Sequence, residues 1–276
     1  MKFANLHLHS TYSDGTLTPD QLVYIGKSLG YKALALTDHE TDGGGKRFSE
    51  VARAEGIDTV PGIEFYGMFE GFNLHLTALD FDSDNPVLRQ LVFERLERHH
   101  EVTRQRVMIA INRGYMDGVT WDDIEKYNDE NSWFCAASIV RAYNALRIPL
   151  PAGWHERIWK SEEAQAIPIY TPTAERVIKA VRAADGIIAI AHPYKRTHLI
   201  PQLVELGLNG VEVSHPDNKN DTPELALAAA EAYNLYHCGG TDHTGAMSGM
   251  GGKHAVPALQ GLTEEEYLTL KERRRG

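Results

Sequence analysis

The stretch Asn5-Leu6-His7-Leu8-His9-Ser10, followed by the turn Ser13-Asp14-Gly15, decides how the rest of this chain is interpreted. In a β-strand, residues i and i+2 point to the same face. His7 and His9 would therefore reach one metal ion together, while the two leucines enter an apolar layer on the opposite face. Asp14 lies just beyond the strand, where its carboxylate can reach a second ion. Taken alone, the pattern fits two solvated histidines at a strand end equally well.

The composition predicts a globular protein with a sizeable core. The chain has 276 residues, 42% of them hydrophobic and 24% charged, which suits one large domain or a main domain with an insertion. A net charge of −10 argues against binding of long duplex nucleic acid, although bound cations can still hold a nucleotide or an RNA end. Cys135 and Cys238 are the only cysteines, so we expect no disulfide framework and a reducing, cytoplasmic location. We expect no signal peptide and no membrane association, because no apolar run approaches the ~20 residues of a membrane span.

Predicted strands alternate with helices along most of the chain. We expect seven strands, mostly parallel by the crossover rule, at 2–8, 33–37, 59–66, 72–79, 187–191, 209–213 and 235–240. Six of the seven end in or carry a His, Asp or Glu. In α/β barrels the working groups cluster at the carboxyl ends of the strands. The pattern therefore predicts an α/β fold with a functional site at that edge.

The middle of the chain differs in composition. Between 85 and 167 no convincing strand is found, and helices are predicted over 86–112, near 120 and over 136–146. We therefore expect a helical insertion at 85–167, within a main domain formed by 1–84 and 168–276. The first of these helices is rich in arginine (Arg95, Arg98, Arg104 and Arg106) interleaved with glutamates. This interleaving predicts a solvent-exposed face rather than a nucleic-acid patch.

The candidate site residues form one series along the chain: His7, His9, Asp14, Asp38, His39, Glu64, His75, His192, Asp242 and His243. Imidazole and carboxylate ligands without thiolate suit Mn, Fe or Zn. The groups exceed what one ion needs, which predicts two or three divalent ions sharing a bridging carboxylate. Such a cluster lowers the pKa of a bridging water and clamps phosphoryl oxygens, so we expect a hydroxide nucleophile held in line with phosphorus.

Five motifs in chain order resemble the successive motifs of the PHP (polymerase and histidinol phosphatase) family. They are His7-Leu8-His9-Ser10, Thr37-Asp38-His39, Gly62-Ile63-Glu64, His192-Pro193 and Gly240-Thr241-Asp242. The resemblance covers about 1–80 and 185–245. It implies a distorted seven-stranded (β/α) barrel carrying a centre of two or three metal ions, and the helical insertion fits the branch of small phosphoesterases.

The resemblance also implies which residues hold each ion. The first ion would be held by His7, His9, Glu64 and Asp242. The second would share the bridging Glu64 with His75 and His192. A third would lie between Asp14 and His39. Asp38 would orient a ligand or the substrate, and it completes an expected catalytic set with His192 and Asp242.

Two features depart from the family pattern. The family usually has a histidine two residues after the last aspartate, where this chain has Thr244, while His243 directly follows Asp242. Either His243 takes that role or the third site is weak or completed by water. The insertion also lacks the Arg-Pro-His triplet of the nucleotide-acting members, and Ser132-Trp133-Phe134-Cys135-Ala136 lies near its place. The second departure bears on the substrate more than on the chemistry.

Several other residues have two interpretations. Lys195 and Arg196 follow His192-Pro193 and either bind a substrate phosphate or belong to an exposed loop. His215 either faces the rim of the site or lies in a loop. Trp133 and Phe134 fit the core of the insertion better than a base-stacking role. Three other histidines are expected at the surface: His99, His100 and His155.

These observations favour a metal-dependent phosphoesterase that hydrolyses small phosphate monoesters, with nucleotide phosphates among the possible substrates. Three alternatives remain open: a 5′–3′ exonuclease on short RNA, a histidinol phosphatase, and a non-catalytic metal-binding domain. Metal content and release of phosphate from an aryl phosphate would separate the enzymes from the binding domain. The sequence does not identify the metal, the substrate or the oligomeric state.

Overall fold

The computed structural model describes residues 2–245, 254 and 260–272, and the elements below are those of these ranges. The strands are β1 (Ala4–Asn5), β2 (Ala33–Leu34), β3 (Asp58–Thr59), β4 (Gly62–Phe69), β5 (Phe72–Leu79), β6 (Ile187–Ile190), β7 (Gly210–Ser214) and β8 (Tyr236–Gly239). The helices are α1 (Pro19–Ser28), α2 (Gly45–Ala54), α3 (Pro86–Asn112), α4 (Trp121–Lys126), α5 (Ala136–Leu146), α6 (Trp154–Trp159), α7 (Glu162–Gln165), α8 (Ala174–Ala183), α9 (Ile200–Glu205), α10 (Thr222–Tyr233) and α11 (Glu264–Glu272). A 3₁₀ turn at Thr197–Leu199 precedes α9.

The strands form two sheets of a mixed α/β fold. The first sheet is parallel and has the order β1-β2-β3. The second has the order β4-β5-β6-β7-β8, with antiparallel pairing on both sides of β5 and parallel pairing from β6 to β8. Isolated bridges between Leu8 and His243, and between His39 and Glu64, join the two sheets at two margins. Candidate site residues therefore lie where the sheets meet.

The strand count differs from the sequence prediction. In the described part of the chain there are eight strands in two sheets, because the predicted strand 59–66 is divided into β3 and β4. The division falls at Val60-Pro61, and a proline has no N–H to donate to a sheet ladder. β4 then continues beyond its predicted end and turns at Glu70 and Gly71, whose φ angles of 47° and 77° are typical of a two-residue hairpin.

The first strand segment, residues 6–9, directly continues β1, and its side chains alternate between core and candidate site as predicted. Leu6 packs in a core cluster with Ala33 and Val60, and Leu8 packs in another with Leu22. The main core lies between the second sheet and helices α3, α8, α9 and α10. The helical stretch from α3 to α7 has a further core cluster of its own.

The prediction that the arginines of α3 form a solvent-exposed face was wrong for two of them. Arg95 is 2% exposed and Arg106 is 7% exposed, whereas Arg98 and Arg104 lie at the surface. The eleven residue steps from Arg95 to Arg106 make just over three turns, so the two arginines share the face that packs inward. Arg95 donates to Glu40 Oε2 at 2.8 Å, and Arg106 donates to the carbonyl oxygen of Ile167 at 3.1 Å. Among the described residues, no helix combines the length and apolar character needed to cross a bilayer.

Candidate metal centre

His7 and His9 lie completely buried on the inner face of the first strand segment. Their Nε2 atoms are 3.1 Å apart. His7 Nδ1 donates to Glu212 Oε1 at 2.6 Å, so Nε2 is the ring nitrogen that faces the other candidate ligands. The two rings therefore present neighbouring nitrogen atoms to one point, as two ligands of one ion do.

Glu64 lies at the centre of the histidines and divides its two oxygens between them. Oε2 is 3.4 Å from His7 Nε2, 3.3 Å from His9 Nε2 and 3.1 Å from His39 Nδ1. Oε1 faces the other way, 3.0 Å from His75 Nδ1 and 3.3 Å from His192 Nε2. This arrangement suits a carboxylate that bridges two neighbouring ions.

Asp242 reaches the centre because the end of β8 packs tightly on β1. The backbone amide of Asp242 donates to the carbonyl oxygen of His7 at 2.9 Å. Gly240 permits the close approach, since a Cβ atom there would lie 2.4 Å from the backbone nitrogen of His7. Asp242 Oδ1 then lies 3.1 Å from His9 Nε2 and 3.7 Å from His7 Nε2.

Two of the gathered residues have strained backbones. Asp242 has a φ angle of 50° and His192 a φ angle of 29°, a region that non-glycine residues rarely adopt. Such conformations cost about 1–3 kcal/mol each and persist where the surrounding structure enforces them, often at functional sites. The surrounding structure therefore holds these two side chains in place although their backbones are strained.

The residues present fit divalent metal ions. Two atoms about 2.1 Å from one ion and about 90–110° apart are separated by about 3.0–3.4 Å, close to the distances found here. Among the described residues, five sets of three have all their ligand atoms within 4.8 Å of one another, and two of them contain the predicted ligands of one ion each: His7, His9 and Asp242, and Glu64, His75 and His192. His39 Nδ1 is buried and makes no well-aligned hydrogen bond although Glu64 Oε2 lies 3.1 Å away, as expected of an atom that binds a metal ion.

The carboxylates and imidazoles of the cluster stabilise one another's charged forms. Burial opposes protonation of His7, but Glu212, Glu64 and Asp242 outweigh it and hold the His7 pKa well above its usual value. Burial likewise opposes ionisation of Glu64, but His7, His39 and His75 outweigh it and hold the pKa of the carboxyl well below its usual value. The Asp242 pKa is lowered against burial by the same kind of neighbours. Both carboxylates therefore stay ionised, which suits cation binding.

Asp14 and His243 lie at the edge of this cluster. Asp14 Oδ1 is 3.6 Å from His9 Nδ1, and Asp14 Oδ2 is 3.9 Å from His39 Nε2. His243 Nδ1 instead pairs with the carbonyl oxygen of His254 at 2.7 Å. The structure thus brings Asp14 near two imidazoles, but neither Asp14 nor His243 joins any of the ligand groups found among the described residues.

Asp38 serves the loop that follows His9. Its Oδ1 accepts from the amide of Ser10 at 2.7 Å, and its Oδ2 accepts from the Ser10 hydroxyl at 2.6 Å. The Ser13 hydroxyl also donates to Oδ1. Asp38 thereby fixes the path of the chain between His9 and Asp14.

The predicted phosphate-binding cations lie beyond His192. Lys195 is exposed, with its Nζ 5.2 Å from the ring centre of Tyr194. The guanidinium of Arg196 lies over the ring of Phe72 at 4.1 Å. On the other side of the centre, Tyr66 and Trp133 flank His39 with ring centres 4.9 and 5.0 Å away. Trp133 therefore borders the cluster of candidate ligands and lies outside the core of the helical stretch, contrary to the prediction, whereas Phe134 packs in that core as predicted.

Sequence reasoning missed Glu212. Besides binding His7 Nδ1, it accepts from the Thr77 hydroxyl at 3.2 Å and from the backbone amide of His192 at 2.8 Å. It is completely buried. The available signal was an acidic residue inside the otherwise apolar strand Gly210-Val211-Glu212-Val213. His215, left open by the sequence, lies 3.4 Å from Asp242 through its Nε2.

The mixed α/β fold and this cluster of imidazoles and carboxylates suit a metal-dependent hydrolase. A family model described as the PHP domain matches residues 5–182. The chain belongs to the PHP domain family. The predicted family is thereby confirmed.

Similar proteins cover nearly the whole chain. A phosphoribosyl 1,2-cyclic phosphate 1,2-diphosphodiesterase of Eggerthella lenta is 27% identical over 87% of this chain and 94% of its own length. A 5′–3′ exoribonuclease of Haemophilus influenzae is 27% identical over 86% of this chain and 88% of its own length. A solved structure from Bifidobacterium adolescentis, assigned as a metal-dependent phosphoesterase, superposes with a TM-score of 0.82 over 99% of this chain and 96% of that chain, at 24% identity.

Proposed function

We propose that this chain hydrolyses small phosphate monoesters, nucleotide phosphates among them, at a centre of divalent ions bridged by Glu64. The observation that carries the proposal is the position of the Glu64 carboxylate between two groups of imidazoles. Its Oε2 faces one group and its Oε1 faces the other. A buried carboxylate with nitrogen atoms about 3 Å from each oxygen has the geometry of a bridging ligand.

The proposed ligand sets follow from the distances. One position takes His7 Nε2, His9 Nε2, Asp242 Oδ1 and Glu64 Oε2. A second takes Glu64 Oε1, His75 Nδ1 and His192 Nε2. A third, between Asp14 and His39, lacks support from His243, whose ring pairs with the His254 carbonyl. We therefore favour two tightly held ions of Mn, Fe or Zn, with a third position completed by water.

Bound divalent ions at such a centre activate water and stabilise the charge that develops on phosphoryl oxygens. The protein's own residues supply the positioning. Glu212 holds the ring of His7 and the amide of His192, so that ligands of both proposed positions depend on one carboxylate. Asp38 orders the loop that carries Asp14. We assign Asp38, His192 and Asp242 as the catalytic set.

Substrate binding is assigned to the rim beyond His192. Lys195 is exposed there and carries no salt bridge among the described residues, so its ammonium is available to a phosphate. Arg196 would contribute by leaving the ring of Phe72. Tyr66 and Trp133 offer aromatic edges on the opposite side, next to His39.

Hydrolysis of short RNA from a 5′ end is the second candidate. It is supported by the similarity to the Haemophilus influenzae exoribonuclease over most of both chains. The net charge of −10 disfavours long duplexes but not a short strand whose terminal phosphate meets metal ions. We also infer a cytoplasmic location, supported by two cysteines that form no disulfide.

Two finer features of the architecture belong to the proposal. We infer that the two sheets, joined by the Leu8–His243 and His39–Glu64 bridges, correspond to the distorted barrel of the family. We further infer that 85–167 is an insertion, since the second half of α3 and the helices from α4 to α6 share a core cluster separate from that of the second sheet, which only the first half of α3 joins.

Elemental analysis of the purified protein, combined with a screen of phosphate monoesters and a 5′-phosphorylated RNA pentamer, tests the proposal. Wild-type protein should contain about two ions per chain and release inorganic phosphate. His9→Ala and Asp242→Ala should each lower activity at least about 100-fold, because each removes a group that supports the transition state, and each should lower the metal content. Arg98→Ala, exposed on α3, is the control and should retain both.

Full activity with unchanged metal in either site variant would contradict the proposed centre. Release of mononucleotides from RNA without hydrolysis of monoesters would favour the second candidate.

A further inference from the structure

We infer that His215 is a positioning residue. Its Nε2–H group orients Asp242 by donating a hydrogen bond, and the ring is not itself a metal ligand. The inference rests on the proposed function, because it concerns a carboxylate assigned to the metal centre. It bears on which imidazoles near the centre can bind ions. Two clusters of close ligand atoms include His215, one with His7 and Glu212 and one with Asp217 and Asp242.

A backbone hydrogen bond fixes the tautomer of His215. The amide N–H of Asp217 donates to His215 Nδ1 at 3.0 Å, so Nδ1 holds a lone pair. A neutral imidazole carries one proton, which must then lie on Nε2. A nitrogen that carries a proton has no lone pair for a metal ion.

The Nε2–H group has one acceptor within reach in the described part of the site. Asp242 Oδ2 lies 3.4 Å away, and Nε2 is otherwise buried without a hydrogen-bond partner. The distance is at the long end for a hydrogen bond, and contacts of this kind tighten when a site is loaded. The side chain is completely buried and packs against His192 and His7, with ring centres 4.9 and 5.4 Å away.

The two oxygens of Asp242 therefore face different groups. Oδ1 faces the ligand nitrogens of His9 and His7, while Oδ2 faces His215. His254 Nε2 also lies 3.4 Å from Oδ2, on the side of Asp217. A carboxylate ligand held through its second oxygen keeps one orientation, and loss of such a partner commonly weakens metal binding by about 10–100-fold.

Three substitutions at His215 separate the two possible roles. The amide nitrogen of glutamine reaches the place of Nε2, whereas asparagine reaches only the place of Nδ1 and phenylalanine offers neither. His215→Gln should bind Mn²⁺ within about threefold of wild type, while His215→Asn and His215→Phe should bind it about 10–100-fold more weakly. Affinity is measured by competition with a chelator. His198→Gln, at an exposed histidine, is the matched control.

The visible spectrum of the Co²⁺-loaded protein gives a readout independent of activity. A positioning role predicts the same absorption bands in wild type and His215→Gln, since the ligand atoms are unchanged. A loss of band intensity in His215→Gln, with affinity as low as in His215→Phe, would make His215 a ligand and overturn the inference. Wild-type affinity in both His215→Asn and His215→Phe would also overturn it.

Two controls keep the result interpretable. Thermal unfolding of the metal-free variants shows whether each one folds, and the polar His215→Asn replaces His215→Phe if the latter does not. If wild-type protein binds no metal, the proposed function fails and the inference fails with it. If wild type binds metal but the order of the variants differs from that expected, only the inference fails.

Discussion

Glu212 shows how one buried carboxylate can control several ligands. Its Oε1 accepts the Nδ1–H of His7 at 2.6 Å, and its Oε2 accepts the backbone amide of His192 at 2.8 Å. The first contact fixes the tautomer of His7, and the second holds the strained backbone of His192. Glu212 thus supports both ligand groups around Glu64 without facing the centre through a free oxygen.

We therefore expect Glu212→Gln to weaken metal binding. The amide can replace only one acceptor oxygen, so either His7 or His192 loses its partner. The expected loss in metal affinity is about 10–100-fold, measured by chelator competition in the purified protein. Glu205→Gln, at an exposed glutamate near the end of α9, is the control. Unchanged affinity in Glu212→Gln would show that the ligands hold their positions without this carboxylate.

At the scale of elements, a buried ion pair connects α3 to the segment that carries His39. Arg95 donates from Nε to Glu40 Oε2 at 2.8 Å and from Nη2 to Glu40 Oε1 at 3.0 Å. Glu40 also accepts from the amide of Tyr66 in β4 at 2.9 Å. It directly follows His39 and has a φ angle of 59°. The pair therefore joins a helix, a strand and a strained turn beside the site.

Removal of Arg95 should strongly destabilise the protein. Arg95→Met leaves the Glu40 carboxylate buried without its cation, which typically costs about 3–5 kcal/mol. The free energy of unfolding is measured with urea, and Arg98→Met on the exposed face of the same helix should change it by less than about 0.5 kcal/mol. Adding Glu40→Gln to Arg95→Met should restore part of the loss. A cost below about 1 kcal/mol for Arg95→Met would show that the carboxylate finds another partner.

These elements also show what a sequence can predict. The two-residue period placed His7 and His9 on one face, and the rule that working groups gather at strand ends led to Glu64, His192 and Asp242. These residues lie close together in space because of the way the two sheets meet, and no local sequence pattern specifies that. The buried arginines of α3 were hidden by interleaved glutamates, because tertiary packing decides which face is covered.

The other features that the sequence did not predict depend on tertiary contacts in the same way. Glu212 lies in a short strand that local propensity treats as ordinary, and only the distant His7 and His192 give it a role. The division between β3 and β4 follows from Pro61, whose effect on a ladder depends on the neighbouring strand. Tautomers such as that of His215 follow from single hydrogen bonds and have no sequence signal.

At the scale of the whole molecule, the proposed ions would connect distant parts of the chain. Their ligands come from the first strand segment, β4, β5 and the ends of β6 and β8, which belong to both sheets. The cluster concentrates carboxylates and imidazoles that are otherwise costly to bury together. Because a preformed site rarely exists in an unfolded chain, metal binding should contribute directly to folding stability.

Removal of metal should therefore lower the melting temperature of the entire molecule. An ion present at about 100 times its Kd stabilises the folded state by about 2.7 kcal/mol. For a chain of this size each kcal/mol corresponds to about 2–4 °C, so the loss of each of the two proposed ions to a chelator should lower Tm by about 5–10 °C, and added Mn²⁺ should restore it. Differential scanning calorimetry measures the shift. His9→Ala should respond much less to the chelator, because it lacks a ligand whose binding supplies the stability. If wild type melts at the same temperature with and without chelator, the ions do not hold the two sheets together.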